Sequence, residues 1–184
     1  MPAPVPANHP LRRLFVVLTE RTFVQRLGWP DHDVAGYLSD LLTEFTHTDN
    51  LYRIRNARGK RVEEVAEMLL EADLLERANT LEREREVHRH IGDFTLFMTG
   101  LFPEYVGNLR PSRSADALLD YVQVGKHSYA VVAEFTHGPY GSSAPLFRKL
   151  SENFELCVYG LGFVREDLDR LRTPEYAHVR KMLV

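Results

Sequence analysis

The chain has 184 residues, 44% of them hydrophobic, which is a one-domain length with enough apolar material for a core that needs no metal or disulfide to fold. Lys and Arg number 23 against 26 Asp and Glu, a net charge of −3, and this argues against a dedicated nucleic-acid binder, which shows a clear basic excess. The single cysteine, Cys157, excludes an intramolecular disulfide and fits a reducing, cytoplasmic setting.

Residues 1–10 are expected to form a disordered or extended arm, because Pro2, Pro4 and Pro6 block regular pairing. The start has neither the charged nor the apolar part of a signal peptide, and the apolar run Phe15-Val16-Val17-Leu18 is far too short to cross a bilayer. Residues 11–184 read as a single helical domain.

Helical periodicity predicts a first helix over 10–27, with Pro10 at the position where its missing N–H costs nothing and Gly28-Trp29-Pro30 as the break. A second helix is expected over 31–45, capped by Asp31 or Asp33, with Val34, Leu38, Leu41, Leu42 and Phe45 repeating at helical spacing. In the connection 48–60, the stretch Leu51-Tyr52-Arg53-Ile54-Arg55 alternates, but one such run does not make a sheet. Further helices are predicted over 61–77, over 81–102 up to Pro103, over 114–137 with Ser114 as cap, and over 145–161, followed by a tail helix from Pro174. Between the last two long helices, the loop 138–143 is rich in glycine and serine. The fold class is therefore all-α, a bundle of five or six principal helices.

The tetrapeptide Glu-Phe-Thr-His occurs twice, at 44–47 and 134–137. In this it resembles the Glu-x-x-His pairs of ferritin-like di-iron proteins, and the resemblance implies an iron or manganese site. Helical phase argues against the first copy. With Leu38 at the centre of its apolar face, Glu44 falls about 120° away and His47 about 180° away. A histidine at a helix end complements the carbonyl end in any case. The helix over 81–102 is richer: Glu86, His90 and Asp93 form one stripe beside the apolar face of Val87, Ile91, Phe94, Met98 and Leu101. The next helix offers His127, Glu134 and His137, the first two separated by two turns. Convergence of these six residues would give an oxygen-rich ligand set suited to iron or manganese. The alternative is a hydrogen-bonded structural trio of Glu86, His90 and Asp93.

A second feature is basic. Arg53, Arg55, Arg58, Lys60 and Arg61 fall within nine residues, a set suited to an anion or an acidic partner or to a solvated connection. Glu82 to Glu86, alternating with Arg83 and Arg85, reads as an exposed helix start. Tyr129, Tyr140 and Tyr159 are expected to gather near the loop before the helix over 145–161, and Cys157 reads as an inert core residue. Three functions stay open: a metal-binding bundle, a non-catalytic adaptor or homodimer, and a bundle holding a small organic ligand under the 138–143 loop. No membrane partner is expected.

Overall fold

The structure is a computed structural model that describes residues 9–56, 58–77 and 80–183. Most of the expected N-terminal arm, residues 1–8, lies outside the described residues. Among the described residues, the regular elements are helical, apart from one isolated backbone bridge between Arg55 and Arg61. No helix among the described residues is long and apolar enough to cross a membrane.

Helix α1 spans Pro10–Thr19, with His9 Nδ1 accepting the Leu11 N–H at 3.2 Å as its cap. The expected continuation to residue 27 changes type: Glu20–Arg26 is a π-helical segment. It carries Phe23 into a notch at Gly160, where an added Cβ would lie 2.3 Å from the ring. Asp31 caps α2, His32–Phe45, by accepting from Val34 N–H at 3.2 Å. After the short α3, Thr48–Leu51, the chain folds back on itself. The Ile54 carbonyl accepts from Val62 N–H, and the Asn56 side chain accepts from the backbone of Arg58 and Lys60. This tight turn delays the third expected helix, so α4 spans Val65–Arg77 rather than starting at 61.

Helix α5, Leu81–Leu101, is the axis of the molecule: residues 90–98 are buried without interruption. It packs against α4, against α7 (Tyr121–Ala133) and against α9 (Phe154–Leu171). The short α6, Pro103–Gly107, follows it. The helix expected over 114–137 is divided into a 3₁₀ turn, Ala115–Leu118, and α7, because Asp120 caps a new start by accepting from Val122 and Gln123 N–H. The helix expected over 145–161 is also two elements, α8 (Ala144–Glu152) and α9, broken at Asn153 and continuing ten residues further. There the Asn153 amide turns back to donate to the Lys149 carbonyl at 2.9 Å. α10, Pro174–Leu183, closes the chain.

Close approach of α5 and α7 is made at Gly92, where an added Cβ would meet the Tyr129 ring at 2.5 Å. The missing side chain lets Tyr129 lie flat on α5 and brings its hydroxyl to the next residue, Asp93. Gly125 sits inside an unbroken α7 and makes room for Phe154.

Candidate anion-binding cleft

The six residues expected to hold iron or manganese are not brought together. His90 is fully buried, but it turns toward the end of α3, where Nε2–H donates to the Leu51 carbonyl at 3.1 Å. Its Nδ1 has no partner, and burial, then the charge of Arg53, pushes the ring pKa down to about 3. Glu86 is exposed and pairs with Arg83 at 2.6 Å. Asp93 is buried among tyrosines, as described below. The structural trio does not form either, since each of its members has a different partner.

His127, Glu134 and His137 are all exposed. The core face of α7 is Tyr121, Gly125, Ser128, Tyr129 and Val132, and His127 lies off it. Its ring faces His88 at 6.3 Å, and His88 is half-buried. Helix α7 ends at Ala133, so Glu134 and His137 lie beyond its last turn. In the first tetrapeptide Glu44 pairs with Arg53 at 3.8 Å and His47 is exposed. Among the described residues no group of three or more His, Cys, Asp or Glu side chains is placed to hold a metal ion.

What the fold builds around Asp93 is a carboxylate–tyrosine network. Asp93 Oδ1 accepts from Tyr37 Oη–H at 2.6 Å and from Tyr129 Oη–H at 2.8 Å. The Tyr37 oxygen in turn accepts from Arg89 Nε–H at 3.1 Å, and the same Nε stands 3.7 Å from Asp93 Oδ2. Burial, then the Asp93 charge, raises both tyrosine pKa values well above the ordinary one, so both hydroxyls stay protonated and donate. The network thus fixes Arg89 through its Nε–H, and the side chain stays partly exposed.

Arg89 forms part of a cleft of about 470 Å³ lined by Arg53, Glu82, Arg83, Arg85, Glu86, Arg89 and Tyr140. Five of these come from the first turns of α5; Arg53 comes from the segment after α3 and Tyr140 from the loop between α7 and α8. The Arg85 guanidinium lies 4.3 Å over the Tyr140 ring and donates to Ser143 Oγ at 3.0 Å. Ser143 donates onward to the Tyr140 carbonyl, which ties the loop to α5. Arg83 donates to the Arg55 carbonyl at 3.2 Å and so ties the opposite wall. The Nε atoms of Arg53 and Arg85 are buried and have no hydrogen-bond partner within the protein. Burial, then the charge of Arg89, lowers the Arg85 pKa.

Of the five basic residues picked from sequence, only Arg53 lines this cleft. Arg55, Arg58 and Lys60 are exposed on the turn, and Arg61 pairs with Asp49 at 3.0 Å. Arg83, Arg85, Arg89, Tyr37 and Tyr140 were not selected as one site. The available signal was the one-turn spacing of Arg85 and Arg89, masked by the acids Glu82, Glu84 and Glu86 of the same helix start. The three tyrosines do not gather: Tyr129 is core, Tyr140 lines the cleft, and Tyr159 is exposed against Phe163. Cys157 is buried, which pushes its thiol up to about 12, beyond useful nucleophilicity.

No family model matches the chain, and no curated protein and no solved structure shows significant similarity to it.

Proposed function

We propose that this helical bundle binds a small oxyanionic ligand in the α5 cleft. The observation that carries this reading is the collection of Arg53, Arg83, Arg85 and Arg89 around one opening that only two carboxylates, Glu82 and Glu86, share with them. Guanidinium groups offer paired donors matched to phosphate and carboxylate, and a partly desolvated site strengthens such bonds. Their mutual repulsion is partly offset in the free protein by Glu44 beside Arg53, Glu86 beside Arg83 and Asp93 beside Arg89, and an anion in the opening would offset it further. The buried Nε–H groups of Arg53 and Arg85 are donors for which the protein supplies no acceptor. The volume falls within the range of small-molecule sites. The reading keeps the small-ligand expectation and relocates the anion site from the basic turn to α5.

Isothermal titration with inorganic phosphate and with citrate tests it. Single-site binding is expected for at least one of the two, with Arg85→Met and Arg89→Met each weakening it by roughly tenfold, the loss of a charge-assisted pair. Absence of heat and of thermal stabilisation by both anions at millimolar concentration would refute the proposal.

A further inference from the structure

Helix α4 is apolar on two sides. Val65, Met68 and Ala72 are buried where it packs on α5. Leu70 and Leu74, one turn apart on the outer side, are 65% and 57% exposed. Leu81, also exposed, follows at the start of α5. Single apolar side chains on a surface are ordinary, but two leucines aligned one turn apart form the kind of ridge that packs into the groove of another helix. A helix with two apolar faces calls for cover on both, and nothing among the described residues covers the outer one.

The flanks of this ridge define what fits it. With Leu70 as reference, Leu74 falls at about 40° around the helix, Glu67 and Glu71 at about 60° and 100°, and Asp73 at about 60° on the other side. Carboxylates therefore border the leucines on both sides. Along α4, Glu67, Glu71, Asp73 and Glu76 stand against one basic residue, Arg77, and Glu63 and Glu64 precede the helix. Glu67, Glu71 and Glu76 form no ion pair among the described residues. Arg55 and Arg83 share a surface hollow with Glu71 without pairing with it, and Arg83 is engaged by Glu86. A second copy presenting its own α4 would set carboxylate against carboxylate in either helix direction, because both flanks are acidic. An anionic membrane surface would be repelled in the same way.

We infer that the outer face of α4 docks an amphipathic helix of another protein, one whose apolar stripe is bordered by lysine or arginine. Leu70 and Leu74 enter the groove of the incoming helix, and its cations meet Glu67, Glu71 and Asp73. This face is lined by carboxylates where the α5 cleft is lined by arginines, and it stands or falls independently of the anion-binding reading.

The test is fluorescence anisotropy of a labelled amphipathic peptide of leucine and lysine, about 15 residues long, titrated with the full chain. Two counterpart peptides carry glutamate in place of lysine, or serine in place of leucine. The protein variants are Leu70→Gln/Leu74→Gln and Glu67→Gln/Glu71→Gln. None of the four positions is buried and glutamine is a good helix former, so the fold is kept, which circular dichroism and thermal melting verify. The leucine–lysine peptide is expected to bind the wild type one to one. It should bind the leucine variant at least roughly tenfold more weakly, the worth of about one buried leucine. The glutamate variant should bind it several-fold more weakly and with a shallower salt dependence. Both counterpart peptides should bind the wild type at least roughly tenfold more weakly than the leucine–lysine peptide does. Equal affinity across the three proteins, equally tight binding of the lysine–serine peptide, or no binding to the wild type overturns the docking face. Dimers of the wild type alone that vanish in the leucine variant, read by sedimentation, overturn the choice of partner and assign the face to a second copy.

Discussion

Asp93 Oδ1 receives two tyrosine hydroxyls at a position only 2% exposed, where a carboxylate without partners would cost several kcal/mol. Asp93→Ala strands both hydroxyls and removes the counter-charge behind Arg89. A loss of roughly 3–5 kcal/mol in urea unfolding is expected, as for breaking one side of a buried polar pair. A loss below about 1 kcal/mol would mean that the tyrosines find other partners. Tyr37→Phe is the milder cut, since the ring keeps its edge contact with Phe147 while Arg89 loses its acceptor. It should weaken anion binding several-fold with little loss of melting temperature.

His90 makes a prediction of a different kind, because its burial excludes the charged form. The ring titrates near 6.5 when exposed and about 3 in the fold, so between those values the unfolded chain binds a proton that the folded chain refuses. Stability is therefore complete above pH 6.5 and declines on acidification by about 1.4 kcal/mol per pH unit until the folded pKa is reached. His88, pushed down to about 4 by burial and by His127, adds to the same slope over the upper part of that window. The His90→Leu variant, lacking the group, should show a shallower decline in urea unfolding across pH 4 to 6 by that amount. Parallel pH profiles for variant and wild type would show that His90 titrates normally in the fold.

At the level of elements, α4 is started by a residue 51 positions away. Asp116 accepts from the N–H groups of Val65 at 2.9 Å and Ala66 at 2.8 Å, and from the Tyr121 hydroxyl at 2.7 Å. One buried carboxylate thus caps α4 and fastens it to the start of α7. Asp116→Ala is expected to cost about 3 kcal/mol, a lost cap together with a buried hydroxyl left unpaired. Amide exchange should accelerate first over residues 65–77. Acceleration confined to residues 115–121 would refute the tertiary cap. This contact explains what the sequence hides. Helix class, the α2 cap at Asp31 and the course of α5 were legible, because local caps and 3.6-residue periodicity determine them. The late start of α4 and the π-segment over Glu20–Arg26 were not, because each answers to a distant partner, Asp116 and Gly160, while the break at Asn153 rests on a local turn back to the Lys149 carbonyl that periodicity does not show. The site follows the same rule. His90 and Asp93 were correctly placed near the core by phase, but phase says nothing of what faces them across the bundle. A tyrosine from α2, another from α7 and a carbonyl from α3 took them before any metal ligand set was complete.

On the scale of the whole molecule, the exposed basic turn and the α5 cleft respond differently to salt. The turn around Arg55, Arg58 and Lys60 is exposed, so any anion held there is screened as the Debye length falls from about 30 Å at 0.01 M to 10 Å at 0.1 M. The α5 cleft is partly desolvated, and its arginines are fixed by Tyr37, Tyr140 and Ser143 rather than by the ionic atmosphere. The chain as a whole carries −3, so there is no general positive field to draw anions in, and attraction begins only near the cleft itself. Phosphate affinity is accordingly expected to fall only a few-fold over that salt range. The Arg58→Ala/Lys60→Ala variant should bind as the wild type does, while Arg89→Met binds roughly tenfold more weakly at every ionic strength. Calorimetry across a salt series decides the matter. A steep salt dependence together with loss of binding in the turn variant would return the anion site to the basic turn and leave the α5 arginines a structural lattice between α5, the turn and the loop that carries Tyr140.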